Sequence, residues 1–293
     1  MKNMIITFWK ILFAAAIIAL YAEIAEGHSV GRYVIEVQDE RYQNRWTLTE
    51  WLRIKERMRM MDLWLALFSD PKKDNKFRPE LSLSYGLLNG VIARDSASGL
   101  AAYTQNSTVQ KGHLWLTNLV SSTVGVRTLN IDLGIEGLNR ATDSMRSAEI
   151  SGVGSNAGLP TQSHWTGMLR IFGKNIQDSS LILKYGQYNY PYHLGWTADP
   201  MQQSLHGVVA GGEVSLYLFK WLGVESNYYQ YGDEVSVKSK SISGRYVDYM
   251  GYIEISLLRV MIGVYAEEWL TTTPTESIDV KGTGAFTGLK IQI

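Results

Sequence analysis

The stretch Tyr252–Trp269, YIEISLLRVMIGVYAEEW, decides the fold. Ile253, Ile255 and Leu257 alternate with Tyr252, Glu254 and Ser256. After a short break near Leu258 and Arg259, Val260, Ile262, Val264 and Ala266 alternate with Met261, Gly263, Tyr265 and Glu267. Neighbouring side chains on a strand point to opposite faces, so each half of the stretch has one apolar and one polar face. Two such runs joined by a few residues read as an antiparallel hairpin.

The same period of two runs outward from this hairpin. Leu81, Leu83, Tyr85 and Leu87 alternate with Ser82, Ser84 and Gly86. Leu129, Ile131, Leu133 and Ile135 alternate with Asn130, Asp132, Gly134 and Glu136. Val214, Leu216 and Leu218 alternate with Glu213, Ser215 and Tyr217. The reading gives about ten strands: 79–93, 111–120, 126–139, 163–172, 179–190, 205–218, 224–231, 244–257, 260–269 and 279–293. A further hairpin within 98–112 would make about twelve.

A soluble β-sandwich alternates too, so strand length and loop length must decide. Many segments are about ten residues long, the length a tilted strand needs to cross a bilayer. Short connections (Ser121–Gly125, Gly173–Asp178, Phe219–Gly223, Leu258-Arg259) alternate with long polar ones (Arg94–Gln110, Arg140–Gln162, Pro191–Ser204, Gly232–Ser243, Leu270–Ser277). Short periplasmic turns and longer outer loops are the asymmetry of barrels that span the outer membrane. The expected fold is an all-β, antiparallel, up-and-down transmembrane barrel over 79–293, closed because an open sheet would leave amides unpaired in lipid.

Composition agrees. Of 293 residues, 45% are hydrophobic and only 19% charged, with Gly 27, Tyr 17, Trp 9 and Pro 6. Lys+Arg 28 balances Asp+Glu 28, so no cation surplus exists to neutralise nucleic-acid phosphates. Cys 0 excludes disulfides, thiolate metal sites and cysteine nucleophiles.

Two segments precede the barrel. Residues 1–27 have the layout of a signal peptide: Lys2 and Lys10, the apolar run Ile11–Ala22, then small residues offering cleavage after Ala22 or Gly27. Residues 28–78 are expected to lie in the periplasm and to carry one helix, 47–68. Thr47-Leu48-Thr49-Glu50 is a capping box, and Ser69-Asp70-Pro71 ends the helix. Trp51, Ile54, Met58, Met61, Leu65 and Phe68 form one apolar stripe. A stripe of that kind is expected to dock on the periplasmic mouth of the barrel, with Arg53, Arg57 and Arg59 near the entrance.

With the apolar face of each strand given to lipid, Asp132, Glu136, Arg170, Lys184, Glu213, Glu225, Asp248, Glu254, Glu267 and Lys290 face inward. Such a set either fills a narrow lumen with ion pairs or lines a selective, cation-preferring pore. Tyr85, Trp165, Tyr185, Trp221, Tyr249 and Trp269 are candidates for the aromatic girdles at the lipid interfaces. His164, His193 and His206 fall in or beside predicted outer loops, with Ser163 next to His164 and Asp199 between the other two. A hydrolase at the outer rim would draw on these groups. No spacing motif joins them, no cofactor or metal motif is present, and the expectation is a non-enzyme. His113, at the start of a strand, enters no motif.

The whole arrangement, from signal peptide through last strand, resembles the small outer-membrane β-barrel proteins of Gram-negative bacteria. It is similar to uncharacterised barrels of predatory bacteria that carry a Trp-rich helix before the first strand. The chain end Phe286–Ile293 looks like the terminal signal read by the barrel-assembly machinery, with Gly288, Ile291 and Ile293 at the expected spacing; it departs from that signal in ending on Ile293 rather than an aromatic and in placing Phe286 where a polar residue is usual. The stretch 211–234, GGEVSLYLFKWLGVESNYYQYGDE, looks like a barrel hairpin with an aromatic-rich turn. The resemblance implies outer-membrane lipid as surroundings, the assembly machinery as a partner, and a structural, surface-contact or narrow-pore role. An adhesin would use the outer loop 140–162 for an extracellular ligand.

Overall fold

The structure, a computed structural model, describes residues 40–43, 45–55, 78–96, 99–124, 127–147, 161–173, 175–192, 203–232, 241–272 and 277–293. Ten antiparallel strands close into one barrel: β1 (Arg78–Ser96), β2 (Gly99–Val124), β3 (Arg127–Ser147), β4 (Thr161–Phe172), β5 (Ser180–Tyr192), β6 (Gln203–Phe219), β7 (Leu222–Tyr231), β8 (Ser241–Ile255), β9 (Leu258–Thr272) and β10 (Ser277–Gln292). Each strand pairs with its sequence neighbour, and β1 pairs with β10 to shut the ring, from Ser82 against Gln292 to Asp95 against Asp279. Closure leaves no sheet edge, which is what a sheet needs in lipid.

The two faces differ in chemistry. Outside stand Leu83, Leu183, Val214, Ile253, Ile262 and Val264, all exposed. The alternate positions are buried and largely polar or charged, as in β9, where Met261, Tyr265 and Glu267 turn inward. A surface apolar outside and ionic inside belongs in a membrane, since each half would be unstable in the other's solvent.

Outward aromatics mark two levels on the lipid-facing surface. Tyr85, Tyr185, Tyr228 and Tyr249 are exposed and Trp165 half-buried, each roughly six residues above the short-turn end of its strand. At the short-turn end itself, Phe219 and Trp221 stack at 6.2 Å, both exposed. The two belts lie about 15 Å apart for strands rising about 3.3 Å per residue at a tilt near 40°. Trp269 is no girdle residue, because its position on β9 points inward and leaves it 5% exposed.

Above the upper belt the strands continue. The polar segment 94–110 is a correction to the sequence reading: it is not an outer loop but the upper part of the β1–β2 hairpin, paired to Ser96 against Gly99. It therefore adds no strands to the ten. Its outward positions are Thr104, Asn106, Thr108 and Gln110. Outside lipid both faces of a strand can be polar, and the alternation that marks a membrane strand disappears. Residues Leu258 and Arg259 are likewise strand, and the turn before them is Ser256-Leu257.

Ahead of the barrel, α1 (Leu48–Lys55) begins with the capping box in place. The Glu50 amide donates to Thr47 Oγ1 at 3.3 Å, and the Thr47 amide to Glu50 Oε2 at 3.2 Å. Residues 1–27 and Met58, Met61, Leu65 and Phe68 lie outside the described residues, as do the side chains of Trp51 and Ile54. No helix among the described residues is long and apolar enough to cross a membrane.

Candidate functional site in the lumen

The inward face carries three stacked groups of side chains. The middle one centres on Glu136 of β3, which is fully buried. Its carboxylate accepts from His113 Nε2 at 2.7 Å, His164 Nε2 at 3.0 Å, Thr166 Oγ1 at 3.3 Å, Lys184 Nζ at 2.6 Å and Tyr229 Oη at 2.8 Å. A carboxylate only accepts, so both imidazoles present an Nε2–H to it. Lys184 also donates to Glu213 at 2.7 Å and to Asn227 at 3.2 Å. From β2, Lys111 reaches Asn227 of β7 at 3.1 Å. In a ten-strand ring β2 and β7 stand on opposite walls, so this contact spans the lumen.

Below it, toward the short turns, Arg259 donates to Glu225 at 2.7 Å and to Glu254 at 2.9 Å, and its guanidinium lies 3.8 Å over the Tyr252 ring. Lys290 meets Glu225 at 3.2 Å. Arg170 bridges Asp132 and Glu80, both at 3.0 Å. Tyr217 Oη donates to Glu254. Above the middle group, Arg140 grips Glu267 with two parallel bonds of 2.6 and 2.8 Å. Tyr231 stacks on Trp269 at 4.8 Å and meets Tyr188 edge-on at 5.1 Å. Between the groups is a cavity of about 30 Å³, lined by Lys111, Glu225, Asp248, Lys290, Met250 and Phe286. It has room for a water or two.

The lower mouth is crossed by the segment ahead of α1. Arg45 donates to the carbonyls of Gln177, at 2.8 Å, and of Lys220, and to the Glu254 carboxylate, with its guanidinium 4.1 Å over Tyr217. Trp46 packs edge-on to Phe172 at 5.5 Å, and its amide donates to Asp178 at 2.8 Å. Arg41 faces Glu80 at 3.6 Å on the far side of the mouth.

All ten inward charges named from the sequence occupy buried positions, and Glu136, Lys184, Glu213, Glu225, Glu254 and Lys290 join one run of ion pairs with Arg259 and Arg45. Asp248 accepts from the Asn227 amide at 2.9 Å and from its side chain at 3.1 Å. Of the three histidines read as rim groups, only the His164 side chain is among the described residues. His164 sits in β4, fully buried, while Ser163 is on the opposite face of that strand, so the two cannot act as a pair. His193, Asp199 and the His206 side chain lie outside the described residues. Gly288 of the chain end pairs with Gly86 across the closing seam, and the Phe286 ring lies on both. Ile291 and Ile293 face outward.

Sequence reading missed His113, Lys111, Arg140, Arg259 and Arg45. The parity of β9 with Glu267 would have turned Arg259 inward; for Arg45 no local signal exists. His113, Glu136 and Glu213 hold possible ligand atoms within 4.8 Å of one another. Lys184 already lies against both carboxylates, so the cation of this cage is the chain's own ammonium.

No family model matches the chain, and no curated protein does. Among solved structures it is similar to the outer membrane protease OmpT from Escherichia coli, at 12% identity over 76% of this chain and 100% of that one, with TM-score 0.28. It is also similar to the toluene transporter TodX from Pseudomonas putida, at 8% identity over 73% of this chain and 89% of that one, with TM-score 0.22. Likenesses this distant carry no argument about activity or substrate.

Proposed function

We propose that the chain is an outer-membrane β-barrel of a Gram-negative bacterium with a closed lumen and a structural or surface-contact role, not a channel and not an enzyme. One observation carries the reading: the Glu136 group fills the lumen from wall to wall, with five donors on one carboxylate and Lys111 meeting Asn227 from the opposite side. A pore needs water-exposed charges, whereas these are buried and mutually paired. The non-enzymatic reading is supported by the commitment of His164 to Glu136 and by the outward turn of Ser163.

Lipid and the barrel-assembly machinery are the proposed partners, the latter through Gly288, Ile291 and Ile293. An extracellular ligand would be met by loop 140–162, held on β3 up to Ser147 and on β4 from Thr161. Single-channel recording of the purified protein tests the closed lumen. Deletion of residues 148–160 followed by binding of intact cells to surfaces tests the contact role.

A further inference from the structure

The lumen closes in two different ways at the middle and at the lower mouth. In the middle group every polar side-chain atom of Glu136, Lys184, Glu213, His113 and Tyr229 has a partner by the bonds above or is absent from the buried, unpartnered set. At the lower mouth, among the described residues, four buried atoms have none: Arg41 Nη1, Arg170 Nε, Gln177 Oε1 and Gln292 Oε1. They surround the crossing segment, since Arg41 is part of it, Arg170 shares Glu80 with Arg41, and the Gln177 carbonyl takes Arg45. A buried polar atom without a partner costs free energy that water would return. The seated segment is thus held by strong bonds at Arg45 and opposed by unmet groups beside it, while the middle group has no such opposition.

We propose that Arg41–Gln43 and Arg45–Thr47 form a releasable latch across the periplasmic mouth, with Arg45 as its bolt. Three features fit a latch. Among the described residues its contacts are made with side chains and turn backbone, without strand pairing to the barrel: Arg45 to Gln177, Lys220 and Glu254, Lys220 Nζ to the Gln43 carbonyl at 3.2 Å, Ser179 Oγ to the Trp46 carbonyl at 2.8 Å. It spans the mouth, from Glu80 on β1 to the β6–β7 turn on the opposite wall. Its withdrawal leaves no charge stranded, because Glu254 keeps Arg259 and Tyr217. Water then reaches the lower group of ion pairs and stops at the Glu136 group.

The inference rests on the closed-lumen reading, and cysteine accessibility separates the two. The chain has no cysteine, so an introduced one is unique. Ser215→Cys reports the lower lumen, two residues deeper along β6 than Tyr217, and Thr166→Cys reports the Glu136 group. Each is placed in the intact chain and in Arg45→Ala and Arg45→Lys backgrounds, and reacted with a membrane-impermeant maleimide in micelles, with only the heat-modifiable, folded band scored. Arg45→Ala is expected to speed labelling of Ser215→Cys about tenfold or more, the factor for one lost charge-assisted hydrogen bond. Arg45→Lys should fall between, since lysine keeps the charge but not the fork. Thr166→Cys should stay slow throughout. Unchanged labelling of Ser215→Cys, or equal acceleration at both positions, would overturn the latch. Conductance of the intact protein would sink the closed-lumen reading as well, whereas a silent protein with unchanged labelling sinks the latch alone.

Discussion

The Tyr229 hydroxyl donates to Glu136 at 2.8 Å although their strands, β7 and β3, stand four places apart around the ring. A bond of that reach requires a lumen narrow enough for side chains from distant walls to touch. The same is true of Arg140 and Glu267, on β3 and β9. The interior of this barrel is therefore a core, with ions and phenols in the place that leucines take in a soluble protein.

A core of buried ions has a characteristic response to mutation. Lys184→Met leaves Glu136 and Glu213 facing each other with one cation fewer, and breaking a buried pair from one side costs about 3–5 kcal/mol. Glu213→Gln added to Lys184→Met should recover much of that loss, because one cation and one anion are then removed together and Glu136 keeps Lys111. Urea denaturation in micelles reads both. A double variant as unstable as the single one would mean that the network's geometry, and not its charge balance, sets the cost.

Height on the outer face should matter as much as face. Ile262 is 68% exposed within the apolar band, and Thr283 is outward on β10, level with Ala266 and Val91 above the upper belt. Arginine at Ile262 should cost about 2–4 kcal/mol, and at Thr283 about 0–1 kcal/mol. Heat-modifiable migration measures the folded yield of each. Comparable loss at both sites would displace the proposed membrane boundary. A contrast between Leu216 and Ser215 is less useful, since Ser215 Oγ is 3.1 Å from Tyr252 Oη and an inward arginine there would break that bond.

The closing seam rests on a small residue. A Cβ at Gly86 would lie 2.5 Å from Phe286 Cε2, and one at Gly288 would lie 2.9 Å from Phe286 Cζ. Gly86→Ala must push the ring off its partner, an overpacking cost of about 1–3 kcal/mol. Folding into liposomes should slow, since the ring closes only when β1 pairs with β10. Phe286→Ala paired with Gly86→Ala should restore part of the rate, and no restoration would remove the ring from the account.

Gly173 opens the turn before β5 with φ 105°, and a Cβ there would lie 2.7 Å from the Ser179 carbonyl. Gly173→Ala should destabilise by about 1–2 kcal/mol. Because Ser179 also holds Trp46, the same variant should loosen the latch, visible as faster labelling of Ser215→Cys. Stability falling without faster labelling would show that the turn and the latch are independent.

What could be read from the sequence followed the membrane. Within the lipid band one face must be apolar, so Val260, Ile262 and Val264 alternate with their neighbours and strands are visible. Beyond the band that requirement ends, and the β1–β2 extension at 94–110 and the β3 extension carrying Arg140 looked like loops. His164 stands next to the start of strand 163–172 as read from the sequence, and only its parity with Thr166 and Arg170 shows that it turns inward. Inward charges were legible from parity, but their partners were not, because ring closure joins residues as far apart as Arg45 and Glu254. The helix stripe drew attention in the segment ahead of the barrel, while the contacts that cross the mouth come from Arg41, Arg45 and Trp46, which show no period at all.

The closed lumen is tested most directly by single-channel recording of the intact protein in a planar bilayer. Folded barrel is inserted from detergent in molar salt, with insertion verified by heat-modifiable migration of the recovered protein. The account predicts no resolvable stepwise conductance at any voltage tolerated by the bilayer, because the Glu136 group fills the lumen between the two mouths. Steady, ohmic steps with cation preference would contradict it and would make the charged interior a pore.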